Sequence, residues 1–174
     1  MKKEFILNEI WMLTINAAFQ RANIYANEPS EEVKRFFKSN LREYLTDSII
    51  PYYENDDNVW DSTHIENINQ ISKFTLKYED ILQDGKLNFG VCQKLLNLYL
   101  KYLWCIDEVK TPPHFPIDRT IQQKLGINNL ISWTKNMGED EYRLIIDFAK
   151  EMLPVYKVER LAELELKLYN RRNY

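Results

Sequence analysis

Apolar residues recur at intervals of three and four along nearly the whole chain, and that period belongs to helices. Phe5, Ile6, Ile10, Leu13, Ala17 and Ile24 form one stripe, which predicts a helix over about residues 4–25. Asn27-Glu28-Pro29-Ser30 breaks it. Ser30 is suited to cap a second helix, with Glu31 and Glu32 in the first turn where the helix dipole favours acids. Val33, Phe36, Phe37, Leu41, Tyr44 and Leu45 form the apolar face of that helix, and Pro51 is expected to end it. Residues 54–62 read as a polar loop, and Asp61, Ser62 or Thr63 then caps a third helix through Ile65, Ile68, Ile71, Phe74, Leu76 and Leu82, stopped by Asp84-Gly85.

From about Gly90 to Ile106 the pattern changes. Leu95, Leu96, Leu98, Tyr99, Leu100, Tyr102, Leu103 and Trp104 are apolar on more than one face, so this helix belongs at the centre. A proline-bearing loop fills residues 107–116, a short helix runs from about Asp118 to Leu125, and Gly126 closes it. Two or three further helices fill residues 128–172, with a break at Pro154. There is no internal repeat and no β-alternation. The reading is an all-α fold in a single domain, residues 1–174, with two helical lobes around a cleft as one form of it.

Composition narrows the classes. With 4 Gly and 6 Pro, the chain has few places for the tight turns of an all-β fold. No apolar run nears the roughly 20 residues that span a bilayer, so no membrane partner is expected. Glu4, Asn8 and Glu9 interrupt the apolar segment a signal peptide would need after Met1-Lys2-Lys3. Cys92 and Cys105 are too few for a disulfide framework, which points to a reduced, cytoplasmic setting. Together with His64 and His114 they match no zinc spacing, and the acidic residues Glu54, Asp56, Asp57 and Asp61 lack the glycine and closing glutamate of a calcium loop. Neither a metal nor a cofactor is expected. The net charge of −3 weighs against a phosphate-rich partner unless a basic face is concentrated locally. Arg171 and Arg172 at the C-terminus are candidates for phosphate contact.

The chemistry concentrates in two segments. The first is Gly90-Val91-Cys92-Gln93-Lys94-Leu95-Leu96-Asn97; the second is Phe115-Pro116-Ile117-Asp118, followed by Lys124-Leu125-Gly126. A hairpin at Gly90 can bring backbone N–H groups close to an anion, and the N-terminus of the next helix adds dipole attraction. Lys94 is expected in the first turn of that helix, where the dipole and apolar neighbours favour the neutral, nucleophilic amine. Asp118, after a proline at a helix start, is expected to stay ionised. An amine and a carboxylate so placed are the parts needed to cleave an N-glycosidic bond.

These segments resemble the helix-hairpin-helix DNA glycosylase superfamily, its 8-oxoguanine glycosylase-like members in particular, over about residues 85–127. Lys94 falls on the family's catalytic lysine, Asn97 on the Asn/Asp that follows it, and Asp118 on the catalytic aspartate. Cys92 stands where the family has a second glycine, and Arg119 follows Asp118 where Thr-His is usual. The resemblance implies excision of a damaged or modified base flipped out of duplex DNA, with or without strand cleavage through Lys94. It implies DNA contact through Gly90, Val91, Cys92 and Gln93. His114, Phe115 and Trp133 are candidates to line the base pocket. Two alternatives stay open: a non-catalytic helical module that binds DNA, and a helical module that binds a protein partner.

Overall fold

Helix α5 (Phe89–Trp104) is the axis on which the other elements are assembled. In this computed structural model, which describes residues 1–55 and 58–169, eight α-helices are present. They are α1 (Lys2–Phe19), α2 (Glu31–Tyr44), α3 (Pro51–Glu54), α4 (Asp61–Thr75), α5, α6 (Arg119–Lys124), α7 (Glu139–Tyr156) and α8 (Leu161–Leu168). The expectations for Asp56, Asp57, Arg171 and Arg172 lie outside the described residues. The all-helical reading is correct: the sole β contact among the described residues is an isolated bridge between Tyr25 and Leu82. None of the helices is long and apolar enough to cross a membrane.

Every residue of α5 from Gly90 to Lys101 is buried, as its two apolar faces require. α1 packs along one side and α4 along another. Trp11, Ile15 and Ala18 come from α1; Ile65, Ile68 and Ile71 come from α4; Leu95, Leu96, Leu100 and Leu103 lie between them. Trp11 meets Tyr99 edge-on, with ring centroids 5.6 Å apart. Each such aliphatic or aromatic side chain removed from water contributes about 1.5–3 kcal/mol. The core is one contiguous cluster that takes in residues from α1 through α8.

Several boundaries differ from the sequence reading, each for a local reason. α1 stops at Phe19, and Asn23 turns the chain with φ of 43°. The second helix ends before Pro51, as expected, but not abruptly: after Tyr44 it widens into a π-helical stretch, Leu45–Ile49, where Ile50 N–H reaches back to the Leu45 carbonyl, and Pro51 opens α3 at a position that needs no amide donor. α4 gives way to a 3₁₀ turn at Leu76–Tyr78, short of Leu82. Its N-cap is Trp60, and the Asp61 carboxylate does not cap the helix because it faces His114 and Lys150. Pro154 sits inside α7, two residues before the helix ends at left-handed Lys157.

Candidate active site

Lys94 and Asp118 meet. The lysine Nζ donates to Asp118 Oδ2 at 3.1 Å, at the base of a pocket of about 330 Å³. The pocket is enclosed by Ala17, Gln20 and Arg21 from the end of α1, by Arg119, Thr120 and Lys124 from α6, and by Trp133 and Tyr169. Lys94 is nearly buried, whereas a quarter of the Asp118 side chain reaches solvent.

Each partner is fixed by its own element. Asp118 is the N-cap of α6: its Oδ1 accepts from Ile121 N–H at 3.0 Å, which leaves Oδ2 to face the lysine. The backbone just before it is held by Gln93. That side chain donates to the Ile117 carbonyl at 2.7 Å and accepts from Ile117 N–H at 3.1 Å. Because Gln93 and Lys94 are neighbours on α5, one helix both supplies the amine and locates the carboxylate. Lys94 Nζ also lies over the Trp133 ring, 4.3 Å from its centroid, so the ammonium meets a carboxylate on one side and a π face on the other.

The Trp133 loop is held in the same manner. Gln122 donates to the Ile131 carbonyl at 2.9 Å and accepts from Ile131 N–H at 2.8 Å, and Asn88 donates to the Thr134 carbonyl at 2.8 Å. Gly90 completes the fit, because a Cβ there would stand 1.8 Å from the Trp133 carbonyl oxygen. Only glycine lets α5 and this loop approach so closely.

That geometry corrects the expected hairpin. α5 begins at Phe89, capped by Asn88, whose side chain accepts from Val91 N–H at 2.9 Å. Lys94 therefore sits in the second turn. Gly90, Val91, Cys92 and Gln93 are buried helical residues rather than an exposed anion cradle. Cys92 N–H bonds to the Asn88 carbonyl, and the Cys92 thiol, pushed up by burial, faces the Leu87 carbonyl. His114 and Phe115 are also buried, and neither lines the pocket. Of the three expected pocket residues, only Trp133 lies there.

A second ion pair adjoins the first. Lys101, two turns along α5 from Lys94, donates to Glu165 of α8 at 2.9 Å from Oε1, with Oε2 at 2.6 Å, and its Nζ lies 4.2 Å from the Tyr169 ring centroid. Both side chains are buried, and desolvation raises the Glu165 carboxyl above the usual carboxylate range. Pairing is what makes such burial tolerable; removing one partner typically costs about 3–5 kcal/mol. The residues that complete the site, Arg21, Lys101, Gln122 and Glu165, were not singled out for it from sequence. A charged Lys101 in an otherwise apolar helix face was the one available signal.

Behind α5 lies a sealed polar cluster. His64 donates from Nε2 to Asn97 Oδ1 at 2.9 Å and accepts at Nδ1 from Tyr53 OH at 2.8 Å; Asn67 donates to that hydroxyl at 3.0 Å. Asn97 donates to Tyr142 OH at 2.9 Å, which leaves the Tyr142 hydroxyl to donate to His114 Nδ1 at 3.0 Å. His114 Nε2 then lies 3.1 Å from Asp61 Oδ1, and Lys150 holds the other Asp61 oxygen at 2.5 Å. This chain of donors and acceptors assigns both imidazoles to the neutral Nε2–H form. Burial pushes both histidines down, His64 well below its usual value, whereas the contact with His114 holds Asp61 well below the carboxylate range. Among the described residues, no group of three or more His, Cys, Asp or Glu side chains is arranged to hold a metal.

No protein-family model, curated protein or solved structure matches the chain.

Proposed function

We propose that the chain excises a damaged or modified base from DNA at Lys94 and Asp118. The observation that carries this reading is the 3.1 Å contact between the lysine amine and a helix-capping carboxylate at the base of an open pocket. A structural ion pair needs no cavity beside it, and this one has room for a substrate.

The chemistry balances with these two residues. Asp118 accepts a proton from the Lys94 ammonium. The freed amine attacks the anomeric carbon as the N-glycosidic bond breaks, and the departing base takes up a proton from Asp118. Transfer of the amine proton to the ring oxygen as the ring opens leaves a protonated Schiff base between lysine and sugar, which water hydrolyses. As Asp118 gives up its proton to the base it becomes a carboxylate again, and in that form it stabilises the cationic centre on the sugar. Trp133 restricts the amine to one approach.

Duplexes carrying a panel of damaged and modified bases test this reading, with hot alkali to reveal excision as strand scission. The native protein should cut at one lesion, and Asp118→Asn should lower the rate by about 10²–10⁴-fold. Silence across the panel would sink the reading. A second reading, a helical module that binds a protein, is favoured by apolar side chains that α1 and α2 leave exposed, Phe5, Met12, Leu13 and Phe36 among them. It expects no DNA binding at low salt.

A further inference from the structure

The chain carries a net charge of −3, yet the mouth of the Lys94 pocket is cationic. Arg21, Lys94, Arg119 and Lys124 line it, and Asp118 is the one acid among the lining residues. Lys94 already engages that carboxylate, so no acid among the described lining residues remains for Arg21 or Arg119. Lys124 donates to the Leu168 carbonyl, which ties it to α8. Arg21 and Arg119 differ. Both are exposed, and neither forms a hydrogen bond or ion pair with a described residue.

The two arginines also border a neighbouring groove, along with Leu130, Ile131, Ser132, Trp133 and Thr134. Pocket and groove share Arg21, Arg119 and Trp133, so they lie side by side with the two arginines bordering both. Arg119 directly follows Asp118 on α6, so one turn of chain directs a carboxylate inward and a guanidinium toward solvent. Arg21 reaches the same pocket from just beyond the end of α1 at Phe19. Guanidinium groups bind phosphate through two parallel N–H donors and remain charged at any working pH.

We infer that Arg21 and Arg119 form a phosphodiester-binding rim that holds a nucleic-acid backbone across the mouth of the Lys94 pocket. The identity of the ligand as DNA rests on the base-excision reading; the location of the grip does not. The rim takes the place of the expected contact at Gly90–Gln93, which is buried. The acidic remainder of the surface would repel the same backbone and so confine it to this rim.

Binding of an abasic-site duplex, measured across a salt series, tests the rim. The proteins are native, Arg21→Ala/Arg119→Ala, and an Arg35→Ala control on the exposed face of α2. The double variant should bind at least tenfold more weakly at low salt, and its salt dependence should flatten by about 2 in the log–log slope, near 0.9 per lost phosphate contact. Arg35→Ala should keep the native slope. Unchanged folding of the double variant, read by circular dichroism, completes the supporting result. A double variant with native affinity and slope would overturn the rim even if excision is confirmed. Loss of binding in the double variant would support it even if no base is ever excised. A free 5′-mononucleotide should fail to displace the duplex at equal phosphate concentration; full displacement would overturn the backbone assignment in favour of a small phosphate ligand.

Discussion

Gln93 and Asn97 on α5 look into a sealed cluster, whereas Lys94, on the neighbouring face, looks into an open pocket. The two regions use similar side chains, yet their accounting differs. In the sealed cluster the imidazole nitrogens of His64 and His114 and the hydroxyls of Tyr53 and Tyr142 all have a partner at hand, and the two histidines, Tyr142 and Asn97 are almost inaccessible to solvent. Such a network fixes one packing of α4, α5 and α7, and leaves no room for a substrate. In the pocket, the Lys94–Asp118 pair has solvent beside it and two unpaired arginines above it. A buried polar group that is satisfied specifies structure; a polar pair that is satisfied and still reachable is where chemistry can occur.

The comparison breaks most visibly under truncation. His64→Ala should cost about 3–5 kcal/mol, because it opens a cavity and strands the Asn97 and Tyr53 partners. Lys94→Met should cost about 1 kcal/mol or less, since Asp118 keeps its cap and its access to water. Chemical denaturation of both variants measures the contrast, and equal losses would erase the distinction between the regions.

Gln93 joins the two regions and sharpens the comparison. Gln93→Met removes both bonds to Ile117 and frees the backbone that carries Asp118. Excision should slow on the order of tenfold or more through kcat, with KM nearly unchanged. A change confined to KM would show that Gln93 shapes binding rather than the position of the carboxylate.

The smallest effect concerns pH. Both buried histidines are held below their usual value of 6.5. Below that pH the unfolded chain gains protons that the fold refuses, so stability is intact above 6.5 and falls as pH drops through this window. The slope should reach at most about 1.4 kcal/mol per pH unit for each histidine. Glu165, raised by burial, has the opposite sign above its usual value of 4.5, so the histidine part is taken from the difference between native protein and His114→Gln. Identical pH profiles for the two proteins would remove His114 from the account.

The sequence made the Lys94–Asp118 pairing legible because both residues sit in short, punctuated segments: a glycine before one, a proline before the other. The helices were legible from their apolar period, and the central place of α5 from its double face. What was not legible depended on contacts distant in the chain. Gly90 looked like a phosphate cradle, and its actual constraint is the carbonyl of Trp133, which no local pattern encodes. His64 and His114 were weighed from sequence only as zinc ligands, and it is the packing of α4 against the 107–116 loop that brings their ring centroids to 4.7 Å from each other. Arg21 was assigned to the interior of a longer first helix; the turn at Asn23 places it at the pocket mouth.

Reductive trapping shows whether Lys94 is the nucleophile. The native protein is incubated with an abasic-site duplex and borohydride, and any cross-linked peptide is mapped by mass spectrometry. A covalent adduct is expected on Lys94, absent from Lys94→Ala and retained by folded His64→Gln. An adduct on another lysine, or no adduct from a protein that binds the duplex, would contradict it.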